Sequence, residues 1–163
     1  MFFENIYDSW EKKQLSKYKK MLPLIKEMDL SSSLDIGANK GYFERFLENE
    51  KIKANIIRID KNKYKNCIRM DAHDLKFEKN KFTSIFCIDT IHLINNTNEI
   101  KRVLRKNGKI LVSIFFNKSN LEKRKKMLNK KFFEFEILNE IIHRGKENEI
   151  IRLIKPQQRR PKK

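Results

Sequence analysis

Two cysteines in 163 residues, Cys67 and Cys87, are too few for a disulfide framework or a cysteine-rich zinc site. Both fall in apolar, strand-like stretches, where a free cysteine behaves as a small buried hydrophobe. No apolar run approaches the ~20 residues needed to span a bilayer. The N-terminus carries Glu4, Asp8 and Glu11 instead of the basic and apolar regions of a signal peptide, so the chain reads as soluble and cytoplasmic. Acidic residues are also scarce: 21 Asp+Glu stand against 38 Lys+Arg, a formal net charge of +17. The deficit is one-sided, because residues 101–163 hold 20 basic and 6 acidic groups, whereas residues 1–100 hold 18 and 15. A polyanion such as RNA gains affinity at such a surface through counterion release. A general lysine bias accounts for the total but less well for its placement.

What is present suffices for a core. Hydrophobic residues make up 39% of the chain, with 12 Phe spread along it, and the length fits one domain. Residues 1–155 read as that domain, with N-terminal helices in 1–30, and 156–163 as a basic, disordered tail. Asp8-Ser9-Trp10-Glu11 has the form of a capping box, followed by Leu15, Tyr18 and Leu22 at helical spacing. Pro23 suits the first turn of a second short helix through Met28, and Ser31-Ser32-Ser33 reads as a linker.

Strands and helices then alternate. Leu34–Ile36 is a buried strand ending in a glycine loop, and Gly41–Glu50 a helix with Phe43, Phe46 and Leu47 on its apolar face. Asn55–Ile59, Cys67–Met70 and Ser84–Asp89 read as strands, and Asn98–Leu104 as a helix. Asn107-Gly108 makes a turn before Lys109–Phe116, whose nearly continuous apolar character predicts a central strand. Asn120–Asn129 is a basic helix. Phe132–Ile142 and Glu149–Ile154, on either side of Gly145, form an antiparallel hairpin. This alternation predicts a mostly parallel sheet with helices on both faces, binding its ligand beyond the carboxyl ends of the strands.

The chemistry should therefore lie just after each strand. Gly37 and Gly41 bracket a turn where the backbone can approach a ligand and a helix N-terminus presents free amides. Asp60, 23 residues after Gly37, can accept both hydroxyls of a ribose. NAD alone would fit those two features, but its fingerprint needs glycine at 39 and 42, where this chain has Asn39 and Tyr42.

Four segments in order, Leu34-Asp35-Ile36-Gly37-Ala38-Asn39-Lys40-Gly41, Ile59-Asp60, Met70-Asp71-Ala72-His73-Asp74-Leu75 and Phe86-Cys87-Ile88-Asp89-Thr90-Ile91-His92-Leu93, resemble the class I S-adenosylmethionine-dependent methyltransferases. The resemblance covers roughly residues 30–155. It implies a Rossmann-like, three-layer α/β/α sandwich with a mostly parallel seven-stranded sheet ending in an antiparallel hairpin. It implies S-adenosylmethionine as cofactor, with Asp35 and the loop Gly37, Ala38, Asn39 and Gly41 at its methionine part, Asp60 with Lys61 at the ribose, Asp71 and the Ala72 amide at the adenine, and Asp89 beside the reactive methyl. Two departures are Asn39 for a frequent glycine, tolerable because Asn enters left-handed backbone readily, and Thr83 for an Asp that often precedes the fourth strand.

Asp89 and His92 are the candidate catalytic residues. Asp74 and Asp89 read equally well as turn or cap residues, and a lone His on an apolar stretch such as His92 is more often packed than catalytic. The pairs Phe2-Phe3, Phe115-Phe116 and Phe132-Phe133 read as core. Lys123, Arg124, Lys125, Lys126, Lys130 and Lys131 form either a solvated helix face or an RNA-binding surface. The expected reaction is in-line methyl transfer from the sulfonium to a nitrogen or oxygen of RNA, rRNA or tRNA, in which alignment matters more than a dedicated base. No Asn- or Asp-Pro-Pro-aromatic motif and no Pro-Cys pair is present, which argues against the best-known amino-methylating type and against cytosine-carbon chemistry. Other readings are a small-molecule methyltransferase, a protein methyltransferase with an activating subunit, and a non-catalytic RNA-binding module.

Overall fold

The structure is a computed structural model that describes residues 2–158, with side chains from residue 11 onward. Helix α1 (Phe2–Ile25) leads into β1 (Ser33–Ile36), α2 (Tyr42–Asn49), β2 (Ile56–Asp60), β3 (Ile68–Arg69) and β4 (Phe82–Ile88). A short 3-10 turn (Ile91–Leu93) and α3 (Asn98–Val103) precede β5 (Leu104–Phe116), α4 (Leu121–Lys131), β6 (Phe135–His143) and β7 (Asn148–Pro156). The seven strands form one sheet in the order β3-β2-β1-β4-β5-β7-β6. The first five are parallel, and β7 runs antiparallel between β5 and β6. This is the expected mostly parallel sheet with a terminal antiparallel hairpin.

Burial divides along the two faces of the sheet because successive strand residues point to opposite sides. On one side Tyr18, Met21, Leu24 and Ile25 of α1 and Phe43, Phe46 and Leu47 of α2 pack with Phe86, Leu111, Ile151 and Leu153. On the other, Ile85, Cys87, Ile110, Val112 and Ile114 pack with Ile100 and Val103 of α3 and Leu128 of α4. Strand β4 is buried along six of its seven residues. Covered on both faces, it has no polar side to alternate. Thr83 ties its start to the β1 side: its hydroxyl lies 2.7 Å from the Asp29 carbonyl and 2.9 Å from that of Ser32.

Several sequence expectations change. Asp8–Glu11 lies inside α1, because nothing upstream interrupts the helix, and a capping box signals a start only where the preceding backbone is non-helical. Pro23 also lies inside α1 rather than opening a second helix. So near the C-terminus it removes one donor of the ladder, while Lys26 N still bonds Leu22 O at 3.1 Å and Leu24 and Ile25 are buried on the sheet.

Asn107-Gly108 does not separate two elements; residues 105–108 loop out within a continuous β5, whose register shifts from Phe82↔Leu104 to Ser84↔Lys109. Strand β3 is two exposed residues, and Cys67 lies just before it, half-buried. Pro156 ends β7 opposite Phe135, and Gln157 N bonds Glu134 O at 2.9 Å, so order extends past the expected start of the tail. Residues 159–163 lie outside the described residues. No described helix is long and apolar enough to cross a membrane.

Candidate active site

The strand order reverses between β1 and β4, and the loops leaving the carboxyl ends of neighbouring strands diverge there. They leave a cleft of about 500 Å³, within the range of small-molecule sites. Asp35, Gly37, Ala38, Asn39, Asp60, Lys61, Asp71, Ala72 and Asp89 all line it. Gly41 does not, and neither does His92.

The β1 loop takes its shape from three left-handed residues: Gly37 (φ +76°), Asn39 (φ +50°) and Gly41 (φ +77°). Neighbouring side chains add a second constraint. A Cβ on Gly37 would meet Thr90 Oγ1 at 2.2 Å, and one on Gly41 would meet Arg58 Nη1 at 2.0 Å. Both glycines thus admit close side chains of this protein. Gly37 and Ala38 bond Ile59 O at 2.9 and 3.0 Å, locking the loop to β2.

Asp60, the last residue of β2, accepts from Asn39 N at 3.0 Å through Oδ2 and from Asn62 N at 2.9 Å through Oδ1. A carboxylate oxygen has two acceptor positions, so each keeps one for a ligand hydroxyl. Asp71 accepts through Oδ1 from His73 N at 2.9 Å, with His73 Nδ1 at 2.8 Å. Asn95 N donates to His73 Nε2 at 2.9 Å, which places the imidazole proton on Nδ1 and makes the ring a donor to Asp71. The backbone and then the ring of His73 hold the Asp71 carboxyl below the usual range. Both bonds use Oδ1, and neither uses Oδ2. Farther along, Arg102 bonds the carbonyls of Leu75 and Phe77 while Glu99 takes the Leu75 amide, pinning the Asp71 loop to α3.

Asp35 is buried beside Glu44. Burial first, then the Glu44 charge, pushes its carboxyl well above the ordinary value, against the pull of Arg58. Asp89 follows β4 in left-handed backbone (φ +53°), with its amide on Ser113 O at 3.0 Å. Lys17 of α1 donates to Asp89 Oδ2, and its ammonium lies 3.5 Å from Oε1 of Glu149 on β7. Lys17 is 3% and Glu149 1% exposed. Burial pushes the Glu149 carboxyl up to about 9; Lys17 opposes the shift and Asp89 adds to it. Asp89 Oδ1 and Glu149 Oε2 have no hydrogen-bond partner among the described residues.

Sequence reasoning missed Lys17, Glu149, Tyr18 and Gln14, and gave His73, which lies within the motif at Asp71–Asp74, no role. The residues buried along the middle of α1 are Gln14, Lys17, Tyr18 and Met21, at the i, i+3, i+4, i+7 spacing of one helix face. A lysine inside that stripe was the available signal. Glu149 gave a similar one, a carboxylate at the head of a buried strand. His92 turns its ring edge-on to Phe115, centroids 5.9 Å apart, and burial lowers its pKa. The phenylalanine pairs divide: Phe116 and Phe132 are buried, whereas Phe115 and Phe133 are 44% and 68% exposed. The side chains of Phe2 and Phe3 lie outside the described residues.

On α4, Lys123, Lys126 and Lys130 are exposed. Arg124 lies over the Phe115 ring at 5.1 Å, Lys125 pairs with Glu140 at 3.3 Å, and Lys131 donates to Ile94 O, so these three are engaged within the protein. Among the described residues no cluster of His, Cys, Asp and Glu could hold a metal ion.

Residues 34–112 match the family model of a methyltransferase domain. No curated protein matches the chain significantly. Among solved structures it is similar to a Sulfolobus solfataricus protein assigned as a type 11 methyltransferase, at 17% identity over 89% of this chain and 95% of that one, with a TM-score of 0.67. It is also similar to an S-adenosylmethionine-dependent methyltransferase of Clostridium acetobutylicum (13%; 96% and 98%; TM-score 0.61). A third similar structure is a Haloferax volcanii methyltransferase in complex with the Trm112 methyltransferase activator (11%; 94% and 97%; TM-score 0.61). At such identities the structures show a shared fold, while the domain match covers the strands that carry the cleft. On these grounds the chain has the Rossmann-like fold of S-adenosylmethionine-dependent methyltransferases, with a methyltransferase-domain match over residues 34–112.

Proposed function

We propose that residues 2–158 form one catalytic domain that binds S-adenosylmethionine in the 500 Å³ cleft and methylates a nitrogen or oxygen of RNA. The observation that carries the cofactor part is the convergence of Asp60 and Asp71 on one cleft, each with an acceptor position left after its protein bonds. The ligand's functional groups suit that donor and acceptor set. Asp60 would accept from the ribose hydroxyls, Asp71 Oδ2 from the adenine amino group, and the Ala72 amide would donate to the ring. Ile59, Met70 and Ile94 give the cleft an apolar wall for a flat heterocycle. Asp35 and the Gly37–Gly41 loop stand nearest the methionine end. Bound there, S-adenosylmethionine supplies a methyl group already activated by its sulfonium. The chain's own task is then to align the acceptor and exclude water, with α1 walling the cleft through Gln14 and Tyr18.

The RNA reading rests on the 20-to-6 excess of basic groups in residues 101–163 and on the exposed lysines of α4. The Haloferax complex favours one addition, an activating subunit, since this chain aligns with 97% of that methyltransferase.

Titration calorimetry with S-adenosylmethionine tests the cofactor site. Micromolar binding should weaken roughly tenfold or more in Asp60→Ala and Asp71→Ala, the usual effect of losing a hydrogen bond to a charged group. A folded wild-type protein that binds no cofactor would remove the catalytic reading unless an activator restores binding. Cofactor binding without salt-dependent RNA affinity would turn the substrate reading toward a small molecule.

A further inference from the structure

Beside the cleft stands an aromatic side chain that packing does not explain. Strand β5 is buried on both faces from Ile110 to Ile114, yet Phe115, on the same face as the buried Leu111 and Ser113, is 44% exposed. Its position relates it to the reaction centre. In the register of β5 and β7 it is opposite Glu149, which reaches Asp89 through Lys17. Ser113, two residues earlier on the same strand, accepts the Asp89 amide. Leu93, 69% exposed, lines the cleft, and the next residue back, His92, sets its ring edge against Phe115. Leu93, His92 and Phe115 therefore make a continuous shelf from the cleft mouth to α4, where Arg124 reaches over the Phe115 ring.

We infer that this shelf seats the single-stranded RNA segment carrying the acceptor base, with a base stacked against the part of Phe115 that Arg124 leaves open and the adjoining phosphates at the exposed lysines of α4. The inference rests on the RNA reading above and names the residues that would carry it. Charge complementarity selects the occupant. Helix α4 holds six cations and one acid, Glu122, and Glu149, opposite Phe115 in the register, is 1% exposed. An aromatic face flanked by a guanidinium and exposed lysines is the arrangement by which single strands are held without a rigid sequence code. An acidic protein segment would use the lysines but has little use for the ring. A duplex presents an unstacked base to it only by flipping one out, at an energetic cost that a single strand does not meet.

The test is fluorescence anisotropy with a labelled, single-stranded RNA 12-mer of mixed sequence, alongside calorimetry with S-adenosylmethionine on the same protein. Phe115→Ala should weaken RNA binding about tenfold, the usual effect of losing one stacking platform, and leave cofactor affinity within twofold. Phe115→Trp keeps a π-face and should restore RNA affinity, and the introduced indole should be quenched on RNA addition. RNA affinity unchanged in Phe115→Ala, with wild-type binding intact, would overturn the shelf alone. A wild-type protein that binds the cofactor but not the RNA would overturn the RNA reading and the shelf together, leaving the methyltransferase assignment in place.

Discussion

Lys17 donates to Asp89, 72 positions away in the chain. The contact joins the N-terminal helix to the loop that closes the candidate active site, and Glu149 completes it from β7. A buried ammonium between a buried carboxyl and a part-buried one is tolerable only if the net charge is small, and a proton retained on Glu149 brings the cluster to neutrality.

Removing the ammonium should therefore be expensive. Lys17→Met takes the buried ammonium away from Asp89 and Glu149 and should lower stability by about 3–5 kcal/mol in urea denaturation. The double variant Lys17→Met/Asp89→Asn should lose clearly less than the sum of the two single changes. Strict additivity would show that the pair does not act as a unit.

Glu149 predicts a pH dependence whose sign follows from its raised pKa. Between the ordinary glutamate value of 4.5 and about 9 the folded protein keeps a proton that the unfolded chain has released. Raising the pH over that window therefore favours unfolding: this group's contribution is complete below 4.5 and is lost as the pH rises through about 9. The melting temperature of the wild type should fall between pH 6 and pH 9 relative to that of Glu149→Gln. Parallel curves for the two proteins would contradict the assignment.

Gly37 carries two separable constraints. Gly37→Ala puts a methyl 2.2 Å from Thr90 Oγ1 and a Cβ on backbone at φ +76°. It should be destabilised and lose cofactor affinity. Adding Thr90→Gly removes the collision but not the left-handed strain, so about 1–2 kcal/mol of the loss should persist. Full recovery would mean that the backbone conformation costs nothing.

The exposed lysines of α4 predict a salt effect. With about 0.7 of a counterion released per phosphate on a single strand, Lys123→Gln/Lys126→Gln/Lys130→Gln should reduce the slope of log affinity against log salt by about 2. An unchanged slope would place the RNA elsewhere on the surface.

The strands were legible because their evidence is local. Burial on both faces gives β4 and the second half of β5 continuous apolar runs, and Asn107-Gly108 marked a turn even though it became a loop within one strand. The β1 loop was legible because left-handed backbone at 37, 39 and 41 calls for Gly or Asn. The start of α1 and the place of Pro23 were misread because capping and proline signals are local preferences that neighbouring helix and buried contacts override.

Composition, periodicity and loop chemistry thus determined the α/β class, the alternation of elements, the glycine loop and the carboxylates at the strand ends, because each is written in residues close together in the chain. Only the tertiary structure decided that Lys17 and Glu149 meet Asp89, that His73 donates to Asp71, that Thr90 and Arg58 occupy the space beside the glycines, and that Phe115 stands exposed between two buried neighbours. Each depends on where a distant segment packs. Spacing along the chain carries no record of that, because long-range contacts are set by the total burial of the core rather than by any one pair of residues.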